Sequence, residues 1–342
     1  MSQSAPAPVE FIVIPRFSQV ALLCSESITG GPEALHQLAY TINRHGGNAQ
    51  MAYFGGKSRV HLLADRILGE MDPDTPSLPA YAAYEPRPLK EMVFGTDTLL
   101  VFPEISVQQA REVSAGNKAV WWLSVDNALN QNPNLRYQSY LDYLFADTSL
   151  VHFYQSDYAR DFLVSSGARR IHPLFDFTDA NFLRPAAETS TRTGRVAYFP
   201  RKGGDKAALF VAQSQAAADP LAFAPIENMT KAQVKQTLES CAVYIDFGHH
   251  PGKDRVPREA ACAGAVVLLH EQGAAKFFAD HPLDPAHIFS LADIQSGRLQ
   301  ARVREIIANP QPHLDAQRYY RQKIWMEREE FDLQVKTFFF MP

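Results

Sequence analysis

Five ionisable side chains crowd into nine residues about three quarters of the way along the chain. Between Pro251 and Glu259 stand Lys253, Asp254, Arg255, Arg258 and Glu259. The run before them, Tyr244-Ile-Asp-Phe, is apolar enough to be a buried strand. After them, Ala260–Leu269 reads as a small-residue helix followed by a second buried strand. A strand that feeds a charged loop into a helix N-terminus is how an open α/β sheet holds phosphate. Three cations at one strand end suit a diphosphate, and a carboxylate at the helix start suits a ribose diol. On this reading, removing Lys253 or Arg258 weakens nucleotide diphosphate binding by about 1.5–3 kcal/mol, the range for hydrogen bonds to charged groups. Arg258 has the competing role of pairing with Asp254.

Other segments carry weaker signals, each with a plain alternative. Arg201 and Lys202, in Phe199-Pro-Arg-Lys-Gly-Gly204, follow an apolar run and would sit at a sheet's carboxyl edge, where α/β ligands bind; a solvated basic turn is the alternative. Gly30 and Gly31 open a helix after the first strong strand, where glycine lets backbone N–H groups approach a ligand; a simple strand-to-helix turn explains them equally well. Glu104 and Asp126 end two further strands and could act as general bases across a cleft, or cap helices and face solvent. The histidines form no metal set: His249 and His250 are adjacent, so on a strand they would point to opposite faces, and no metal ligand is assigned. Asp72 and Asp74 lie in a Pro-rich turn. Trp121-Trp122 reads as core, and Phe338-Phe339-Phe340 as packed aromatic.

These residues need a frame. Apolar runs near 19–24, 49–54, 98–102, 119–124 and 150–154 read as strands, and the pattern resumes near 195–199, 242–247, 265–269 and 287–290. Helices are expected near 31–45, 57–69, 106–114, 135–145, 156–166, 205–217, 230–239, 257–263, 272–279, 297–308 and 314–335. Residues 71–90 hold five prolines and read as a long loop. Strand and helix alternate almost throughout, which implies parallel sheets covered on both faces. An Ala- and Thr-rich gap near 185–194 splits the pattern into two such sheets.

Composition bounds the function. The 342 residues suffice for two domains, and 46% hydrophobic with 20% charged residues is an ordinary globular balance. Thirty-three basic against 37 acidic residues give a net charge of -4, which argues against general nucleic-acid binding. Cys24, Cys241 and Cys262 lie in apolar contexts without paired spacing, as small core residues do in a reducing compartment. No basic n-region precedes an apolar stretch, and no apolar run reaches transmembrane length. The expected location is the cytoplasm.

In order, these features resemble a nucleotide-sugar glycosyltransferase of the bacterial surface-polysaccharide type. That family is α/β, with two facing Rossmann-like α/β/α domains, the GT-B architecture. Four segments carry the resemblance: Ile28–Gly47 with its Gly-Gly loop; Tyr154–Leu163 with Gly167 and Phe175–Phe182; Phe199–Gly203; and Pro257–Val267, similar to the family's Glu-Ala-x-x-x-Gly-x-x-Val helix. The resemblance implies an acceptor domain over 1–185 with the last segment, 314–342, packing back on it, and a donor domain over 186–313. It implies that Glu259 holds the donor ribose and that Arg201 and Lys202 hold the diphosphate. The loop His250–Arg255 is more basic than is usual in the family, and His250, Lys253, Arg255 and Arg258 are read from their charge and place in the chain as further donor contacts. Transfer would run from a nucleotide diphosphate sugar to a glycan or lipid-linked acceptor, with no cofactor and no obligatory metal. Peripheral contact at the inner membrane is expected from this resemblance alone. Pro251 stands where many members carry a second glutamate, and the usual first-domain histidine is absent, with Glu104 and Asp126 near those places. Two other readings stay open: a nucleotide-sugar 2-epimerase, and a non-catalytic nucleotide-sugar-binding subunit.

Overall fold

The computed structural model describes residues 14–114, 116–183 and 192–341. Residues 1–10 and most of the expected gap, 185–191, lie outside these. The chain divides into two compact units: Met1–Phe102 with Glu112–Ala119 and Asp332–Pro342, and Pro103–Arg111 with Val120–Phe331.

After a two-residue strand, Ile14–Pro15, paired antiparallel with Phe340–Met341, the first unit continues with strand β1 (Gln19–Ser25), helix α1 (Gly30–Arg44) and β2 (Ala49–Phe54). Next come β3 (Arg59–Leu62), β4 (Arg66–Glu70), β5 (Glu91–Val93) and β6 (Thr98–Pro103). β1 pairs in parallel with β2 on one side and β6 on the other. Their side chains are buried on both faces, as a helix-covered parallel sheet requires. α1 is fixed from beneath by buried His36, whose ring nitrogens lie 2.7 Å from the Pro32 carbonyl oxygen and 2.8 Å from the Tyr53 hydroxyl. Burial pushes that imidazole down to about 4, so it stays neutral. Phe338, Phe339 and Phe340 are buried, and Phe17 stacks on Phe338.

Two expected helices are absent. Over 272–279 there is only a short 3-10 turn, Ala274–Lys276. The helix read over 57–69 is instead the hairpin β3–β4, extended by β5 into a three-stranded antiparallel sheet. Along Arg59-Val60-His61-Leu62 exposure alternates residue by residue, the two-residue period of a strand. Gly55 and Gly56 turn the chain into it at positive φ. The segment 314–335 also differs: it is broken into Pro310–Ala316, Arg318–Trp325 and a final helix, Glu327–Phe339.

The second unit holds most of β7 (Lys118–Trp122), then α2 (Val125–Gln131), β8 (Val151–Tyr154), α3 (Asp157–Ser165) and β9 (Ile171–Pro173). Its strands β7, β8 and β9 are neighbours in that order. After residue 192 come β10 (Thr193–Tyr198), α4 (Gly204–Gln215), β11 (Ala222–Pro225), α5 (Lys231–Ser240) and β12 (Cys241–Asp246). They are followed by α6 (Arg255–Ala263), β13 (Val266–His270) and β14 (Ile288–Phe289). These strands form one parallel sheet in the order β11-β10-β12-β13-β14. Apolar clusters lie on both its faces, one built on Tyr244, Val267 and Leu269, the other on Val243, Ile245 and Phe247. The carboxyl ends of β10 and β12 therefore emerge side by side, and each is followed by a loop that carries candidate residues.

Candidate active site

The turn after β10 carries Arg201 and Lys202 and closes at Gly203. Gly203 has φ +67°, and a Cβ there would overlap the Phe247 carbonyl oxygen, so only glycine lets this turn lie against the β12 loop. Arg201 is exposed and reaches the Asn228 side chain at 3.4 Å. Lys202 turns inward. Its Nζ donates to Asp246 Oδ2 at 2.8 Å and to Asp254 Oδ2 at 2.6 Å, and lies 3.4 Å from His250 Nδ1. Asp246, His250 and Asp254 are the one group among the described residues whose ligand atoms converge as a metal site would need. Here the lysine ammonium sits among them. Burial opposes its charge, but the two carboxylates outweigh that and hold its pKa above the usual lysine value. Burial likewise opposes the Asp254 charge, and Lys202 and His250 outweigh it, holding that carboxyl well below its usual range. His250 is fully buried within this cluster; its Nε2 makes no hydrogen bond and lies 4.0 Å from Asp246 Oδ1.

The β12 loop is pinned along its length. Val125 N–H donates to the Pro251 carbonyl at 3.2 Å, and Lys253 N–H donates to Gln155 Oε1 at 2.9 Å. Gln155 Nε2 returns a bond to the Lys253 carbonyl at 3.1 Å and another to Asp176 Oδ1 at 2.7 Å. Gly252 has no room for a side chain, since a Cβ would stand 2.5 Å from the Leu123 carbonyl oxygen. The Lys253 ammonium lies 4.1 Å from the centre of the Phe175 ring, a cation–π contact. Arg255 Nε donates to Asp176 Oδ2 at 3.3 Å.

Arg258 is a correction. Its guanidinium does not face a ligand: the residue is 0% exposed. Nη2 donates to both oxygens of Asp176 at 3.0 and 2.9 Å and to the Lys253 carbonyl at 2.9 Å. Nη1 donates to Glu327 Oε2 at 2.8 Å, and Nε to the Asp254 carbonyl at 3.2 Å. Its donors are spent inside the protein. Its expected alternative partner, the Asp254 side chain, pairs with Lys202 instead. Glu259, one residue on, is half-buried on α6.

Asp126 lies in the first turn of α2, two residues after the cap residue Ser124, whose hydroxyl accepts from Asn127 N–H. The Asp126 carboxylate is not alone. His249 Nε2 lies 2.8 Å from its Oδ2, and Tyr158 OH donates to the same oxygen at 3.3 Å. His249, passed over as half of a plain His-His pair, is 41% exposed in its side chain. Glu104 is nearly enclosed, at 5% exposure, and accepts from Leu123 N–H at 3.4 Å. Burial pushes its carboxyl up to about 7. Gly30 and Gly31 form the first turn of α1 in the first unit, as expected; Lys202, His250, Lys253 and Arg255 are gathered in the second. The residues that sequence reasoning missed are the anions and anchors: Asp176, Asp246, Glu327, Gln155 and His249. Only Asp246, the polar end of an apolar run, left a readable signal.

No family model matches the chain, and no curated protein matches it. Solved structures do. Sucrose-phosphate synthase from Thermosynechococcus elongatus superposes with a TM-score of 0.62 at 14% identity, over 94% of this chain and 98% of that one. Anabaena HepE in complex with UDP-glucose gives 0.60 at 12% identity, over 93% and 99%. The trehalose-6-phosphate protein of E. coli bound with UDP-2-fluoro glucose gives 0.54 at 10% identity, over 95% and 100%. The chain has the GT-B fold. On this GT-B chain, Arg201, Lys202, Asp126 and His249 all follow parallel strands at their carboxyl ends, the edge where open α/β sheets bind ligands.

Proposed function

We propose that this chain is a glycosyltransferase that moves a sugar from a nucleotide diphosphate sugar to a glycan or lipid-linked acceptor in bacterial surface-polysaccharide synthesis. The observation that carries this reading is the gathering of Arg201, Lys202 and Lys253 on two pinned loops at the carboxyl ends of strands in a GT-B chain. HepE and the E. coli protein bind UDP-sugars, which makes UDP-glucose the first donor to test. Arg201 and Lys253 would meet the diphosphate. Lys202 would join them only by leaving Asp246 and Asp254, so its contribution depends on exchanging those carboxylates for phosphate. Glu259 would take the ribose hydroxyls. The leaving diphosphate would be neutralised by side chains and helix N-termini, without a metal.

The test is a thermal-shift screen over UDP-, GDP-, dTDP- and ADP-glucose and a CMP-sugar, followed by assay of released nucleotide. A ligand that binds the native state alone raises its melting temperature. Absence of any shift, together with no nucleotide release, refutes the reading. The Lys202 cluster and Pro251, standing where the family carries a glutamate, would favour a binding subunit if donors shift the melting temperature but none is turned over.

A further inference from the structure

We propose that His249, held by Asp126, is the base that takes the acceptor hydroxyl proton; this rests on the transfer reading above. The support is geometric. The 2.8 Å contact to a carboxylate places the ring proton on Nε2, so Nδ1 presents its lone pair. Nδ1 has no partner among the described residues, and the side chain is substantially exposed. Its neighbour His250 is enclosed. Asp126 Oδ2 already faces two groups, His249 and the Tyr158 hydroxyl. Those same contacts make it a good positioning residue.

Tyr158 is itself fixed. Buried Asp280 accepts the backbone N–H groups of Asp157 at 2.7 Å and Tyr158 at 3.0 Å, anchoring the first turn of α3. The Tyr158 ring packs edge-on against His249 and on Phe277. A half-exposed imidazole with one nitrogen held by a carboxylate and the other open is the arrangement of an oriented general base.

In the step, the acceptor O–H bond breaks and its proton passes to His249 Nδ1. The acceptor oxygen forms the new bond to the anomeric carbon. The bond from that carbon to the diphosphate oxygen breaks, and its electron pair leaves with the nucleoside diphosphate. The imidazolium so formed is stabilised by the Asp126 carboxylate, and its proton is later lost to water.

The test uses the donor panel above, with p-nitrophenyl glucoside as acceptor and with water alone, measuring released nucleotide. Replacing His249→Ala should lower kcat by about 10²-fold or more, the usual share of a general base, with donor affinity within about twofold. Added imidazole should raise the rate of that variant several-fold and leave the wild type unchanged. Asp126→Asn should lower kcat with the donor KM unchanged. A His249→Ala protein at the wild-type rate overturns the proposal. So does one that loses donor affinity as much as rate, or one that imidazole does not rescue. A wild type that turns over none of the donors sinks the transfer reading and the dyad with it; a wild type that is active while His249→Ala matches it sinks the dyad alone.

Discussion

Replacing Arg258 with alanine should unfold this protein more readily and leave nucleotide affinity almost untouched. The guanidinium lies between Asp176 and Glu327, both buried, with bonds of 2.8–3.0 Å to their carboxylates. Breaking a buried pair by removing one partner costs about 3–5 kcal/mol, because the other charge stays buried without its counterion. Some compensation remains. Asp176 keeps Arg255 and Gln155, and Glu327 keeps both the N–H and the hydroxyl of Thr178. The lower end, about 3 kcal/mol, is therefore expected. For a folding unit of this size that corresponds to roughly 6–12 °C in melting temperature. Urea titration and calorimetry at neutral pH measure it, with nucleotide affinity determined on the folded fraction. Acid adds a second readout. Burial opposes the Asp176 charge, but Arg258 and Arg255 outweigh it and hold that carboxyl well below its usual range. A depressed carboxylate contributes stability above its unfolded value near 3.8 and loses it as pH falls further. The wild type should therefore lose stability below about pH 4 more steeply than Arg258→Ala. Wild-type stability in the variant, or a tenfold loss of nucleotide affinity without destabilisation, would refute the structural role.

Three further outcomes are expected. Lys253→Ala should weaken nucleotide diphosphate binding by about 1.5–3 kcal/mol with stability nearly unchanged, and calorimetric affinities equal to wild type would remove Lys253 from the donor site. Glu104→Gln should grow more stable relative to wild type as pH rises from about 4.5 to 7: a carboxyl raised to about 7 by burial holds its proton in the folded state, and that advantage, roughly 3 kcal/mol at most, disappears across this window. Parallel stability–pH curves for the two proteins would contradict the burial of that charge. Gly203→Ala should destabilise by more than about 1 kcal/mol, because strain at positive φ adds to overlap with the Phe247 carbonyl; denaturant midpoints matching wild type would show that the turn can shift aside.

The parallel strands were legible because burial on both faces writes a continuous apolar run, as in Ala119–Trp122 and Cys241–Ile245. Gly30, Gly31 and Pro32 marked the start of α1 for the same local reason, a helix-opening preference carried by the residues themselves. The hairpin over 59–70 was misread because its strands are short and half-exposed, so a two-residue alternation competed with a helical one over too few positions. Its partner β5 lies more than 20 positions on, beyond any local window.

The basic loop shows where local reading of charge fails. Counted along the chain, Lys253, Arg255 and Arg258 are three equivalent cations. In the fold they have three different fates: one rests on Phe175, one leans on Asp176, and one is sealed between Asp176 and Glu327. Asp176 lies 82 positions from Arg258 and Glu327 lies 69 positions away. No spacing rule connects them. Lys202 follows the same logic with Asp246 and Asp254, 44 and 52 positions on. A buried cation demands an anion, and a hydrophobic strand end such as Asp246 is where one can be held rigidly. Cations near the carboxyl edge therefore divide by depth. Those with satisfied buried carboxylates build the loop, and those without one, exposed Arg201 and half-buried Lys253, are the cations that the proposed donor reading would use.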